Sequence, residues 1–212
     1  MDLEKRLLEG LQALPGMPAD VEGLGRRLLQ YIELIAKWNA THNLTAVRDP
    51  GAMVARHLLD SLAVLPHISG PNIVDVGSGA GLPGIPIALA RPDWQVVLVE
   101  SNQKKAAFLM QAVIELNLTN VVVKSQRIEK LSVENKIDTV ISRAFSSLNR
   151  FAQLASGLCK DNAEHCRLVA MKGAFPDLEL MQLSPEFHVE QIIAVTVPGL
   201  KAKRHLIKLR CN

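Results

Sequence analysis

Between residues 72 and 86 the chain reads Asn-Ile-Val-Asp-Val-Gly-Ser-Gly-Ala-Gly-Leu-Pro-Gly-Ile-Pro. An apolar, β-branched run closes on a carboxylate, Asp75, and gives way to glycines at 77, 79 and 81. That is the pattern of a buried strand, a loop with little side-chain bulk and the first turn of a helix. Glycine adopts backbone angles barred to other residues and lets a ligand approach the main chain. Unpaired N–H groups in the first helical turn favour a polar group beside them. The chemistry expected here is the binding of a small molecule, with an empty glycine-rich turn as the plain alternative.

A second carboxylate, Glu100, closes the next apolar run, Val96-Val97-Leu98-Val99. The dinucleotide fingerprint asks for a third glycine where Leu82 stands, although a nicotinamide dinucleotide stays open on these residues alone. The series Asp75-x-Gly77-x-Gly79-x-Gly81 instead resembles the first motif of class I S-adenosylmethionine-dependent methyltransferases. In that arrangement Glu100 stands where the acidic partner of the adenosine ribose is expected.

Other groups sharpen the choice. Ser142-Arg143-Ala144-Phe145 ends the fourth expected strand, beside the transferred methyl in a methyltransferase arrangement. An Asp/Asn-Pro-Pro-aromatic motif, which orients an exocyclic amine, is absent, and neither Cys159 nor Cys166 has the adjacent proline of a cysteine that attacks a pyrimidine carbon. What remains is an acceptor with its own lone pair, such as guanine N7, for which in-line placement and exclusion of water suffice. Arg143 would hold a cofactor carboxylate or an RNA phosphate. Arg127-Ile128-Glu129 follows the third strand, where this fold brackets adenine. His42 and Asn43 lie in a stretch rich in hydrogen-bonding side chains, with Arg48, Arg56 and His57 close behind. No second ligand stands at metal spacing from His42, so no metal is expected. His57, Asp60 and Ser61 are too close on one helix for a hydrolytic triad, and no Gly-x-Ser-x-Gly elbow exists. Lys201, Lys203, Arg204, Lys208 and Arg210 crowd the tail with no acid among them. Such a cluster suits phosphate contact or an edge strand that resists aggregation.

The elements needed to position these residues follow from periodicity. Residues 3–14 and a stretch from Asp20 through Trp38 read as amphipathic helices, and a third runs through Val54, Leu58, Leu62 and Leu65. Residues 1–66 are thus expected to form a helical extension packed on a core of residues 67–212. From residue 72 onward, strands at 73–76, 96–100, 121–124, 137–142, 168–172, 189–197 and 206–209 alternate with helices at 84–90, 103–116, 148–158 and 177–183. That order implies an α/β fold with right-handed crossovers and a mostly parallel seven-stranded sheet, closed by an antiparallel C-terminal hairpin. Ligands on such sheets sit beyond the C-terminal strand ends.

Bulk properties fit. A chain of 212 residues, 48% hydrophobic and 21% charged, can bury a full core. No apolar run approaches the roughly 20 residues of a membrane span. The N-terminus lacks a signal-peptide pattern, and three widely spaced cysteines read as reduced residues of a cytoplasmic protein. A net charge of +3 permits a nucleic-acid partner without requiring one.

Taken in order, Lys37-Trp38-Asn39-x-x-His42-Asn43-Leu44-Thr45, Val47-Arg48-Asp49-Pro50, Arg56-His57-x-x-Asp60-Ser61, the glycine loop through Pro86, Ser142-Arg143-Ala144-Phe145 and Arg204-His205-Leu206 closely resemble the bacterial small-subunit ribosomal RNA methyltransferase G family, also called glucose-inhibited division protein B. The resemblance runs from about residue 25 to the end; residues 1–16 add nothing to it. It implies the class I methyltransferase Rossmann-like fold, S-adenosylmethionine as cofactor, and N7 methylation of one guanine in the decoding region of 16S ribosomal RNA. The substrate would be that RNA or a small-subunit precursor, and the enzyme a monomer. Cofactor contacts are implied at Gly77, Leu82, Ile128, Glu129 and Arg143. We expect Asp75, Gly77, Gly79, Leu82 and Glu100 to place the cofactor, and Arg143 and Arg127 to act at the cofactor carboxylate or the flipped-out guanine. His42, Asn43, Arg48 and Arg204 would meet the RNA. The alternatives are a non-enzymatic Rossmann module and an NAD-dependent oxidoreductase, the latter weakened because Tyr31 is the only tyrosine and no Tyr-x-x-x-Lys pair exists.

Overall fold

A computed structural model describes residues 3–143, 145 and 147–211; Ala144 of the fourth-strand motif lies outside them. Helix α1 (Leu3–Ala13) buries Leu7 and Leu11. Helix α2 (Val21–His42) starts where Asp20 accepts a hydrogen bond from the Gly23 N–H at 2.7 Å. It ends at Asn43, whose φ of 47° is the left-handed conformation Asn tolerates. The expected third helix is three consecutive pieces: α3 (Pro50–Met53), a π-helical stretch (Val54–Leu59) and α4 (Asp60–Leu62). Asp49 caps α3 through the Ala52 N–H at 2.7 Å, with Pro50 in the first turn. A 3.6-residue apolar period carries no sign of the widened turn, which is common at functional sites.

The sheet has seven strands in the order β3-β2-β1-β4-β5-β7-β6. They are β1 (Asn72–Val76), β2 (Gln95–Val99), β3 (Val121–Lys124), β4 (Thr139–Ser142), β5 (Arg167–Lys172), β6 (Phe187–Ala194) and β7 (His205–Cys211). The first five are parallel, and β7 runs antiparallel between β5 and β6. Each strand lies within two or three residues of its expected position. Crossovers are α5 (Gly84–Ala90), α6 (Gln103–Glu115) and α7 (Leu148–Ala155), with α8 (Asp177–Met181) before the hairpin. The expected helix 148–158 stops at Ala155 and continues as a 3-10 segment, Ser156–Asn162.

Side chains alternate across β1, so Ile73 joins one apolar cluster and Val74 and Val76 the other. The first cluster also holds Leu7 and Leu11 of α1, Leu28 and Ile35 of α2, and Phe108 of α6, so the N-terminal helices share a core with one sheet face. The second fills the opposite face beneath α7 with Phe151 and Leu168.

One expectation fails. Cys159 and Cys166 are disulfide-bonded, with Cα atoms 5.4 Å apart; Cys211 is the free cysteine. The 3-10 segment and the turn after it fold the chain back, so that Cys166 at the foot of β5 lies over Cys159, a closure that spacing alone does not reveal. The compartment argument from reduced cysteines loses its footing. Among the described residues, no helix is long and apolar enough to cross a membrane.

Candidate functional site

Two hollows open on the edge of the sheet where the parallel strands end. The first, a cleft of about 230 Å³, is lined by Val76 and Gly77 after β1, Val99 and Ser101 after β2, and residues 126–129 after β3, with Phe145, Arg150 and Leu154 opposite. The second, about 400 Å³, takes Thr45 and Val47 from the segment between α2 and α3, and Arg56, His57 and Asp60 from the helical run after it. The sheet adds Arg143, Met171, Lys172, Gly173 and Arg204 to its walls. The short segment after β4 serves both, since Arg143 faces the second hollow and Phe145 walls the first.

The glycine loop is shaped by backbone and by buried acids. Gly77, Gly79 and Gly81 have φ of 69°, 59° and 85°, the region glycine alone adopts freely. A Cβ at Gly77 would meet only Phe145, at 3.7 Å, and one at Gly79 only the Gly77 carbonyl, at 3.8 Å. At Gly81 and Gly84 it would strike Ile85 at 2.5 Å and Leu98 at 2.3 Å. The first two glycines therefore leave room for a ligand, and the last two let α5 pack. Asp75 is fully buried and accepts from the Gly84 N–H at 3.0 Å, while its other oxygen has no hydrogen-bond partner among the described residues. Burial pushes its carboxyl up to about 7. Glu100 fastens the loop from the far side, accepting from the N–H groups of Gly79 at 2.9 Å and Asn102 at 2.8 Å. Tyr31, buried in α2, donates its hydroxyl to the Ala80 carbonyl. Burial holds that hydroxyl protonated well above the usual tyrosine range.

The second hollow is built from charge. Asp60 is 4% exposed and shared by two guanidiniums: Arg204 Nε donates at 2.7 Å and Arg143 Nη1 lies at 3.4 Å. Arg143 also donates to the Arg56 carbonyl at 3.0 Å, a contact to the π-helical stretch. His57, buried beneath them, has Nε2 2.8 Å from Thr45 Oγ1 and Nδ1 3.4 Å from Arg143. Burial, reinforced by the Arg143 charge, lowers its pKa to about 4, so the ring is neutral at neutral pH. Lys172 donates to the Phe145 carbonyl at 3.0 Å and pairs with Glu179 at 2.7 Å. Glu179 in turn accepts the Leu148 N–H at the start of α7.

These hollows divide the expected residues. Gly77, Arg127, Ile128 and Glu129 line the cleft. Asp75, Gly79 and Glu100 shape its loop from behind, and Leu82 is 5% exposed within the core. Arg143 lies in the other hollow with Arg204, so Arg143 and Arg127 are not brought together. Arg48 is exposed just beyond Val47 at the rim. His42 lies apart, packed on Trp38 at 5.1 Å over α6 with Gln111 and Glu115. Asn43 is exposed and serves as the C-cap of α2.

The family model described as rRNA small subunit methyltransferase G (GidB) matches residues 25–207. The chain belongs to the rRNA small subunit methyltransferase G family. It is 69% identical to the ribosomal RNA small subunit methyltransferase G of Nitrosomonas eutropha over 212 residues, covering all of this chain and 99% of that one. With its namesake from Laribacter hongkongensis it shares 47% over 210 residues, 99% of each chain. Among solved structures it is similar to a protein of the NADB-Rossmann superfamily from Streptococcus agalactiae, with a TM-score of 0.55 and 15% identity over 72% of this chain and 68% of that one. TrmN from Thermus thermophilus aligns with a TM-score of 0.51 and 15% identity over 75% of this chain and 53% of that one. At such identity these structures support the fold alone, and that fold is the Rossmann-like one of the methyltransferases. Of the residues that wall the second hollow of this methyltransferase G chain, sequence reasoning named Thr45, His57 and Asp60 in motifs without giving them a binding role, and did not single out Lys172. Arg56, His57, Asp60 and Ser61, polar groups set into an apolar helical run, were the available sign.

Proposed function

We propose that this chain transfers the methyl group of S-adenosylmethionine to N7 of a guanine in the decoding region of 16S ribosomal RNA, the Gly77 cleft taking the donor and the Asp60 pocket the RNA. The cleft suits an adenosine. Val99, Ile128 and Leu154 offer apolar walls, and Gly77 and Gly79 leave open backbone beside them. Glu129 and the Ile128 N–H would meet the purine edge, since both residues line the cleft. The donor supplies an electrophilic sulfonium methyl, and N7 brings its own lone pair. One carbon–sulfur bond breaks, one carbon–nitrogen bond forms, and the electron pair stays on sulfur, so no general base is needed. The protein's share is then in-line placement and exclusion of water.

The observation that carries this reading is the segment after β4, whose Arg143 and Phe145 reach into different hollows two residues apart. That supports the reading, in which the Arg143 guanidinium meets RNA beside the cleft that takes the donor. Arg143 and Arg204 suit a phosphate. Asp60 holds both in place and offsets the positive charge that N7 methylation leaves on the base. Arg127, exposed at the cleft mouth, would meet the donor's carboxylate or incoming RNA. On this view residues 1–66 are the extension that turns a Rossmann-like donor site into an RNA enzyme, since they contribute Thr45, His57 and Asp60.

The test is calorimetric titration with S-adenosylhomocysteine and NAD, followed by methylation of 16S RNA. Micromolar binding of the former alone, with Arg204→Ala weakening RNA use at unchanged cofactor affinity, supports the assignment. Preference for NAD, or equal loss of both affinities in Arg204→Ala, overturns it.

A further inference from the structure

We propose that Phe175 is a stacking platform for an unpaired base flanking the methylated guanine; this rests on the Asp60 pocket being the RNA site. Phe175, Leu178 and Met181 are 46%, 74% and 83% exposed. Leu178 and Met181, three apart, share one side of α8, and Phe175 stands two residues before that helix begins. The other large exposed hydrophobics among the described residues, Met110, Ile114 and Val122, lie on α6 and β3 at the opposite end of the sheet.

The position of Phe175 is set by β5. Lys172, the last residue of that strand, pairs in register with His205, the first of β7. Residues 173–175 therefore leave the sheet at the edge where the pocket opens. Gly173 lines the pocket, and a Cβ there would lie 3.7 Å from Arg204 Nη1. The Phe175 ring stands nearly perpendicular to the His205 ring, at 86° and 5.4 Å between centroids. One side of the aromatic is thus held while much of it stays open to solvent.

Charge selects the occupant. Lys201 and Lys203 are exposed in the segment that leads into Arg204 and His205. Glu179 is spent on Lys172 and the Leu148 N–H, which leaves Asp177 as the other acid of α8. An open aromatic ring flanked by cations matches single-stranded nucleic acid, whose bases stack on aromatics while its backbone meets lysine and arginine. Leu178 and Met181 would extend the same apolar strip under the next nucleotide.

The experiment compares Phe175→Ala and Phe175→Trp in methylation of protein-free 16S RNA and of assembled small subunits, both from cells lacking this methylation. Phe175→Ala is expected to raise KM for both substrates about tenfold. The kcat, S-adenosylhomocysteine affinity and thermal midpoint should stay unchanged. Phe175→Trp should keep the low KM, and its added indole emission should be quenched by RNA. An unchanged KM in Phe175→Ala, or no quenching in Phe175→Trp, overturns the assignment. A defect confined to assembled subunits also overturns it and identifies a protein contact instead. Failure of the unaltered chain to methylate either substrate would overturn the reading of the Asp60 pocket, and the stacking role with it.

Discussion

The Gly77 cleft and the Asp60 pocket open on one edge of one sheet, yet they are made of different materials. The cleft is backbone and apolar wall, with its acids turned inward: Asp75 grips α5 and Glu100 grips the loop. The pocket is side-chain charge drawn from the π-helical stretch, α4, β4, β5 and the approach to β7. A cleft that holds one fixed cofactor shape can be carved by glycines in a single run. A pocket for a flexible polyanion needs several cations held apart at fixed places, and mutual repulsion must be offset. Asp60 is that offset.

Substitutions can break the contrast. The largest effect is expected from Asp60→Ala, which leaves two part-buried guanidiniums facing each other. Removing one partner of a buried pair costs about 3–5 kcal/mol, and RNA methylation should fall by about two orders of magnitude. The folded fraction should still bind S-adenosylhomocysteine. Asp60→Asn keeps the shape and should show the same split, visible as KM for RNA against cofactor affinity. Parallel loss of both would end the distinction between the hollows.

Within the cleft, Gly84→Ala and Gly77→Ala should part ways. The first drives a methyl to 2.3 Å from Leu98 and 2.8 Å from Asp75. Overpacking of this kind costs about 1–3 kcal/mol, read as a lower denaturation midpoint. Gly77→Ala has room for its methyl, so stability should fall by only about 1–2 kcal/mol for the positive φ. Cofactor affinity, however, should drop about tenfold or more, because the added carbon occupies the ligand's space. Equal affinity in both variants would remove Gly77 from the donor site.

Acid titration separates the hollows by sign. Folded Asp75, with a pKa of about 7, keeps a proton that the unfolded chain has lost above its ordinary 3.8. That contribution to stability fades as pH rises from about 4 to 7. Folded His57, at about 4, refuses a proton that the unfolded chain takes up below 6.5, so its contribution fades as pH falls from 6.5 to 4. The two oppose each other, each on the order of a few kcal/mol. Asp75→Asn should therefore make stability climb with pH between 4.5 and 6.5, and His57→Gln should make it decline. Urea midpoints at three pH values would show it; identical slopes in all three proteins would refute it. The smallest effect on activity is expected from Cys159→Ser. Opening that short loop should cost about 2 kcal/mol and leave both affinities alone.

The same contrast explains what could be read from the chain. The cleft was legible because one contiguous run makes its loop and the next two strand ends supply Glu100, Ile128 and Glu129. The mostly parallel sheet with its antiparallel final pair followed from alternation and from the short gap between the last two strands; the order of strands across the sheet came only from the structure. Asp60 was not legible as the pocket's centre, because its partner Arg204 is 144 residues away in sequence and meets it only through the fold. His42 and Arg204, grouped together from sequence, stand apart in the fold for a related reason: nearness to Asn43 and Arg48 in sequence says nothing about the side of α2 that His42 occupies. The disulfide escaped because only the turn after the 3-10 segment closes it.

Because β7 lies between β5 and β6, β6 bonds to the sheet only through its successor. Every residue that walls the Gly77 cleft lies at or before Leu154, but Lys172 and Glu179 hold Phe145 and the start of α7 from beyond it. The Asp60 pocket reaches further still, since Arg204 comes with the strand behind it and the hairpin must dock as a unit. Both hollows are therefore finished from the C-terminal side, the cleft by β5 and α8 and the pocket by the hairpin.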